Sequence, residues 1–251
     1  MIAGQGSVAV ELLDDHDEID TIVVPTGGGG LLAGVAAYAR VQLPDIEIVG
    51  VQSETYPGMA AALEGRKLVP GAHDTLADGI AVKEPGGLTV PIVRDLVDDV
   101  VTVEERTIER AVALFLEIEK TVAEGAGAAS LATLLDHPDR FAGRRVAVVL
   151  SGGNIDTRVL ASVLMRELVN SGRITTLRIS LSDQPGQLAP VLATIAEAGA
   201  NVIEIDHRRI FDPVSARATN VDVVVETRDP AHTAELVASL EALGHRVTRE
   251  P

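Results

Sequence analysis

The chain has 251 residues, 46% of them apolar and only 2% aromatic, and a formal net charge of -16. That length holds one large domain or two smaller ones, with a core built from Ala, Val, Leu and Ile, and the acidic balance disfavours nucleic acid or an anionic membrane as a partner. The lack of cysteine excludes a disulfide framework, a thiolate metal site and a cysteine nucleophile and fits a reducing, cytoplasmic setting; no apolar run approaches about 18 residues, so no membrane span is expected.

The opening stretch, MIAGQGSVAVELLDD, has no basic segment, and the first basic residue is Arg40. It does not read as a signal peptide. It reads as the interior of a protein: an apolar entry, a glycine-rich loop, then a helix over Val8–Asp14 with Ser7 as its cap. From there to about Ser171, short β-branched runs alternate with helical patterns. Strands are expected at Thr21–Val24, Ile46–Gln52, Val100–Val103 and Val146–Leu150. Further helices are expected at Leu31–Val41, Gly58–Glu64, Glu105–Thr121, Ala126–Leu135 and Thr157–Asn170. The strands are nearly continuous apolar runs, the pattern of strands covered on both faces. This portion, residues 1–171, therefore reads as an α/β unit with a doubly wound parallel sheet.

Beyond a seam at Ser171-Gly172 the pattern changes. RITTLRISLS alternates like a strand, and QPGQLAPVLATIAEAG reads as a helix leaving at Gly199. NVIEIDHRRIF and RATNVDVVVET read as strands joined by a turn at Asp212-Pro213. PAHTAELVASLEALG is a helix opening on Pro230 and closing at Gly244, and HRVTR is a last strand. The order βαββαβ over residues 172–251 is that of a ferredoxin-like half-sandwich.

Gly27, Gly28, Gly29 and Gly30 separate the first of these strands from a helix. Without Cβ atoms, successive backbone N–H groups can converge on one point, and the following helix adds the positive end of its dipole. The spacing is neither G-x-G-x-x-G nor that of a P-loop. A single compact phosphate, rather than a dinucleotide or a nucleoside triphosphate, is the expected ligand. A tight βα turn is the bland alternative, but one or two glycines would suffice for it.

Five stretches, AGQGSVAVELL, VVPTGGGGLLAGVAAYA, DGIAVKEPGGLT, VAEGAGAASLA and VLSGGN, resemble the threonine dehydratase (threonine ammonia-lyase) branch of the fold-type II pyridoxal-phosphate enzymes. The resemblance runs from Ile2 to Asn170, and serine dehydratases and serine racemase are near relatives. It implies a PLP-dependent β-elimination of L-threonine or L-serine to a 2-oxo acid and ammonia. It also implies that Gly27, Gly28, Gly29, Gly30 and the backbone of Leu31 hold the cofactor phosphate. Ser151 matches the hydroxyl that hydrogen-bonds the pyridine nitrogen. Such a hydroxyl leaves the ring essentially neutral, where a carboxylate would keep it protonated. Glu124 matches a glutamate near the ring, and it also reads as an acid in the first turn of a helix.

Gln52 stands where racemase-like relatives place a glutamate that helps to bind a divalent cation. An amide is a poor ligand for a hard ion, and no metal is expected. His16, His73, His137, His207, His232 and His245 include no pair four residues apart, and His16, in DDHDEID, reads as part of a solvated acidic loop. The family's Schiff-base lysine lies upstream of the glycine loop, followed by a Ser-Gly-Asn loop for the substrate carboxylate. Neither context is found here. Lys67, Lys83 and Lys120 are the only lysines, and each reads as a surface charge. The expectation is therefore an incomplete enzyme without a catalytic residue of its own, inactive alone, with an exposed sheet edge. Poor solubility, homo-oligomers or a separate N-terminal partner would follow.

The distal unit resembles an ACT domain, through DQPGQLAPVLATIAEAGANV. The resemblance implies that such units pair and bind an amino-acid effector, in dehydratases an end product such as isoleucine or valine. Asp183, Pro185, Gly186 and Leu188, at the first strand–helix loop, are its candidate contacts, with Asn201 as a further candidate or a turn residue. Two other readings stand beside the enzyme: a non-catalytic amino-acid-sensing module, and a serine racemase or serine dehydratase relative.

Overall fold

The computed structural model describes residues 1–16, 18–69, 74–207 and 218–250. Contacts divide the chain into two compact units, Met1–Val163 and the remainder from Leu164. The division falls within a helix that runs Thr157–Asn170.

The first unit runs α1 (Ile2–Gln5), α2 (Ser7–Asp15), β1 (Thr21–Pro25), α3 (Gly30–Gln42), β2 (Glu47–Ser53) and α4 (Gly58–Leu63). A 3-10 turn at Asp78–Ile80 follows, then α5 (Thr89–Leu96), β3 (Asp99–Val103), α6 (Glu105–Glu117), α7 (Gly125–Asp136), α8 (Pro138–Phe141), β4 (Val146–Val148) and α9 (Thr157–Asn170). The four strands form one parallel sheet in the order β3-β2-β1-β4. Strand β1 is buried throughout, because both faces of the sheet are covered. Ile22, Val24 and Ile48 pack with Leu32, Ala36, Met59 and Val93 from α3, α4 and α5. Val23, Val49, Val51 and Val103 pack with Ile108, Val112, Ala129 and Ala132 from α6 and α7. The near-continuous apolar runs in the strands are thus accounted for.

Several local expectations shift. Ser7 does not cap α2: Gly6 stands at the N-cap, and the Ser7 hydroxyl donates to Gly4 O at 2.9 Å. Helix α6 stops at Glu117, short of Thr121. Lys120 takes a left-handed conformation (φ 56) and its Nζ donates to Glu117 O at 2.7 Å, so the side chain closes the exposed carbonyl end. The pattern gave no sign of α5, whose third residue is Pro91. A proline in the first turn lacks only an N–H that has no intrahelical partner anyway.

The amino ends of the strands are held by charge. Glu47, at the start of β2, accepts from Arg140 Nη2 at 2.8 Å, pairs with Arg144 and accepts from Thr21 Oγ1 at 3.1 Å. Asp20, just before β1, accepts from the Arg145 backbone N–H at 2.8 Å. That hydrogen bond, ahead of the Arg145 guanidinium, holds the Asp20 carboxyl below its ordinary value.

The second unit continues with β5 (Ile174–Ser182), α10 (Leu188–Glu197), β6 (Asn201–His207), β7 (Ala218–Glu226), α11 (Pro230–Ala242) and β8 (Arg246–Glu250). The sheet is antiparallel, in the order β6-β7-β5-β8. This is the expected βαββαβ arrangement. The expected turn at Asp212-Pro213 lies outside the described residues, as does His73. One face of the sheet (Leu177, Ile179, Val221, Val223, Val225) packs on Val191, Ile195, Leu236 and Leu240 of α10 and α11. The other face carries Arg178, which grips Asp222 with two hydrogen bonds of 2.8 Å. The buried His232 accepts from Arg228 N at 3.2 Å through Nδ1, which leaves its Nε2 proton to donate to Ala198 O at 2.7 Å.

Candidate functional site

Strands β1 and β4 lie side by side, while β2 and β3 extend the sheet on the far side of β1. The direction of strand addition therefore reverses between β1 and β4. In open parallel sheets, ligands bind in the crevice beyond the carboxyl ends of the strands at such a reversal. Val23 stands opposite Val148, and Val149 N donates to Val23 O at 3.0 Å. The glycine run and Ser151 consequently leave the sheet at the same end of adjacent strands.

The four glycines are not equivalent. A Cβ on Gly29 would collide with Met59 Cε and lie 2.8 Å from Thr89 Oγ1, and its φ of 86 favours glycine. A Cβ on Gly27 would meet Val82 Cγ2 at 3.0 Å and Ile80 Cα at 3.2 Å. Added Cβ atoms on Gly28 and Gly30 would meet nothing within 4 Å. The loop is thus packed down at alternate residues and open at the others. Gly30 and Leu31 begin α3, and no side chain caps that helix. The open space over Gly28 and Gly30, beside uncapped first-turn amides, fits a phosphate group.

The loop is fastened from three sides. Gly28 O accepts from Gly86 N at 3.1 Å and from the Thr89 hydroxyl at 2.6 Å. Gly29 O accepts from Ala33 N at 2.9 Å. Thr26 O accepts from the Gln52 amide at 3.0 Å. Gln52 is fully buried, and its oxygen accepts from Met59 N at 2.9 Å and Ala60 N at 3.0 Å. Its side chain is therefore engaged inside the protein rather than presented to an ion. No group of three or more His, Cys, Asp or Glu side chains gathers as a metal cluster among the described residues.

Glu124 occupies the N-cap position of α7 without a side-chain cap bond. Its backbone N–H donates to Gly152 O at 3.1 Å. Its Oε1 lies against Gly152, where any Cβ would collide with it, and 3.7 Å from where a Cβ on Gly79 would stand. Gly79 O in turn lies 3.3 Å from the Cβ position of Gly27. The Glu124 carboxylate is thus held between the loop after β4 and the turn that packs on the glycine run. The small residues of AEGAGAA make this approach feasible: Gly125 packs on Leu76 and Gly127 on Gly152 without room for a Cβ. Ser151 is exposed, and among the described residues its hydroxyl has no hydrogen-bond partner. A donor and acceptor there is free to meet a ring nitrogen.

The structure thereby gathers Gly27–Leu31, Glu124 and Ser151 at one end of the sheet. Lys67, Lys83 and Lys120 are all exposed. In the second unit the candidate residues separate. Asp183, Pro185 and Gly186 are exposed in the loop after β5, with Gly186 at φ 88, and Leu188 packs on the core of that unit. Asn201 pairs with Glu226, which pairs with Ile174 at the far end of β5. At about 3.3 Å per residue, Asn201 and the loop are about 26 Å apart along the sheet, so one copy does not bring them together. Gln52, Met59 and Thr89 were missed as parts of the cradle. Thr89 could have been found in EPGGLT; nothing local marks Met59.

Residues 1–152 match the family model described as pyridoxal-phosphate dependent enzyme, and residues 175–242 match the ACT domain. The chain is 40% identical over 248 residues to an L-threonine ammonia-lyase of Thermotoga maritima, covering 98% of this chain and 62% of that protein. The chain thus spans less than two thirds of the length of that relative. Among solved structures it is similar to a T.th. threonine deaminase (37% identity, TM-score 0.58, 62% of this chain and 58% of that one). It is also similar to maize serine racemase (36% identity, TM-score 0.59, 67% of this chain and 53% of that one).

Proposed function

Because the chain belongs to the family of pyridoxal-phosphate-dependent enzymes, we propose that it is the cofactor-binding and regulatory portion of an ammonia-lyase acting on L-threonine or L-serine. In this reading residues 1–171 hold the cofactor and residues 172–251 sense an amino acid. The observation that carries it is the cradle at the β1–β4 reversal: open space over Gly28 and Gly30, with Ser151 on the neighbouring strand end. The match to an L-threonine ammonia-lyase across both units favours this over a racemase, although a racemase structure is as similar to part of the chain as a threonine deaminase is.

Pyridoxal phosphate, when bound, supplies the conjugated electron sink that lets the substrate's α-proton leave. The amides of Gly27–Leu31 would hold its phosphate. The Ser151 hydroxyl would donate to the ring nitrogen of the bound cofactor and leave that nitrogen unprotonated. Glu124, at the start of α7, would help to orient the bound cofactor. The net change is loss of the β-hydroxyl as water, return of water to the released enamine, and release of ammonia and a 2-oxo acid, 2-oxobutanoate from threonine.

Removal of the α-proton needs a base at the reacting carbon, and the lysines of this chain are surface groups. By itself the chain does not turn over threonine. The protein works in the cytoplasm, as an oligomer or with a further segment, and an amino-acid effector contacts the Asp183–Leu188 loop. The test mixes the chain with pyridoxal phosphate and L-threonine and follows 2-oxobutanoate and ammonia, while calorimetry with pyridoxine 5′-phosphate reads the cradle. Phosphate-dependent binding without turnover is expected. No preference for the phosphorylated vitamer overturns the cradle, and turnover overturns the account of the missing base.

A further inference from the structure

We propose that Gln52 is the positioning residue of the phosphate cradle, aiming the Gly27 amide at the anion and holding the floor beneath Gly29. This rests on the reading of the glycine run as a phosphate site. Gln52 sits near the carboxyl end of β2, one strand away from that run, and contributes nothing to the open space itself.

The argument starts from the peptide unit. In a planar trans peptide, the carbonyl of one residue and the N–H of the next point in opposite directions. Whatever fixes the carbonyl of residue i therefore aims the N–H of residue i+1. Thr26 O accepts from Gln52 Nε2 at 3.0 Å, so the Gly27 N–H points away from Gln52. The same logic applies further along. Gly28 O is held by Thr89 and Gly86, which aims the Gly29 N–H, and Gly29 O is held by Ala33, which aims the Gly30 N–H. The Ala33 pin is local to the loop and its helix, and the Gly28 pin comes from the Gly86–Thr89 turn ahead of α5. Only the first depends on a buried side-chain amide from another strand.

That amide has a second task. Its oxygen accepts from Met59 N and Ala60 N at the start of α4. The Met59 methyl lies directly under Gly29, where a Cβ would collide with it. One side chain thus sets both the direction of the first amide of the cradle and the height of its floor. The chemistry of the residue is specific. A glutamate in its place would set an acceptor against the Thr26 carbonyl. A leucine would leave one carbonyl and two N–H groups inside the protein without partners.

The experiment measures two affinities on each protein by calorimetry: pyridoxine 5′-phosphate, and pyridoxine, which lacks the phosphate. Neither probe requires a lysine. Wild type is expected to prefer the phosphorylated form. In Gln52→Glu and Gln52→Leu that preference falls by at least about tenfold, as expected for one misaligned charge-assisted hydrogen bond, while pyridoxine affinity stays the same. A generally loosened fold would weaken both probes together. A folded variant that keeps the wild-type preference overturns the proposal. Wild type with no preference overturns the cradle itself, a separate failure. Should neither variant fold, amide NMR of wild type decides: added inorganic phosphate must move the Gly27 resonance, and a Gly27 signal that stays put while Gly28–Leu31 shift overturns the role of Gln52.

Discussion

Replacing Gly28 and Gly29 by alanine, one at a time, separates what the fold needs from what the ligand needs. The two residues are adjacent and would be equivalent if the run were only a flexible turn. In Gly29→Ala, the new methyl enters a left-handed position (φ 86), at about 1–2 kcal/mol. It also meets Met59 Cε and Thr89 Oγ1, an overpacking of roughly 1–3 kcal/mol. The sum is about 2–5 kcal/mol, and with a urea m-value of about 1–3 kcal/mol/M the midpoint falls by on the order of 1 M or more. In Gly28→Ala, the methyl meets nothing within 4 Å and the backbone is not left-handed. Stability should hold or rise by about 0.4–1 kcal/mol, because the unfolded chain loses freedom. That methyl occupies the space assigned to the anion, so binding of pyridoxine 5′-phosphate should fall by more than about tenfold. Urea unfolding of the first unit and calorimetry read the two effects. Equal destabilisation by both substitutions, or undiminished phosphate binding by Gly28→Ala, would refute the reasoning.

Three further predictions concern stability. Asp20 carries a depressed pKa, chiefly from the Arg145 N–H. Its stabilisation is present above the unfolded-state value and is lost as pH falls through the lower folded value; Asp20→Asn should therefore lower stability at neutral pH and flatten the loss as pH falls through and below the ordinary carboxylate range, read by urea midpoints against pH. His232→Ala leaves Ala198 O and Arg228 N without their partners, at about 1–3 kcal/mol per orphaned group, and thermal unfolding should place the loss in the second unit alone. Lys120 is the non-glycine residue with positive φ among the described residues; Lys120→Gly should be close to neutral, whereas Lys120→Val should cost about 1–3 kcal/mol, and equal stabilities would show that this backbone conformation is not retained in solution.

Much of the molecule was legible in local chemistry. Pro230 and Gly244 bracket α11, Gly199 ends α10 with φ 76, and the β-branched runs at Thr21–Val24 and Val100–Val103 became strands. Each of these signals acts within a few residues: a fixed φ, a missing Cβ, a preferred rotamer. The glycine run was read as an anion site for the same reason. Where a local signal was ambiguous, as with proline inside α5 or the end of α6, the reading failed by a turn or missed the helix. By itself, then, the sequence determined the two successive architectures and singled out the glycine run that we propose holds a phosphate. Tertiary structure alone decided that β4 joins β1 and creates the reversal, and that Gly27 and Gly29 are packed while Gly28 and Gly30 stay open. It alone also decided that Gln52 serves the loop and that Asn201 lies at the far end of its sheet from Gly186. Those facts depend on register and on side chains meeting across strands, contacts between residues tens of positions apart that no local window contains.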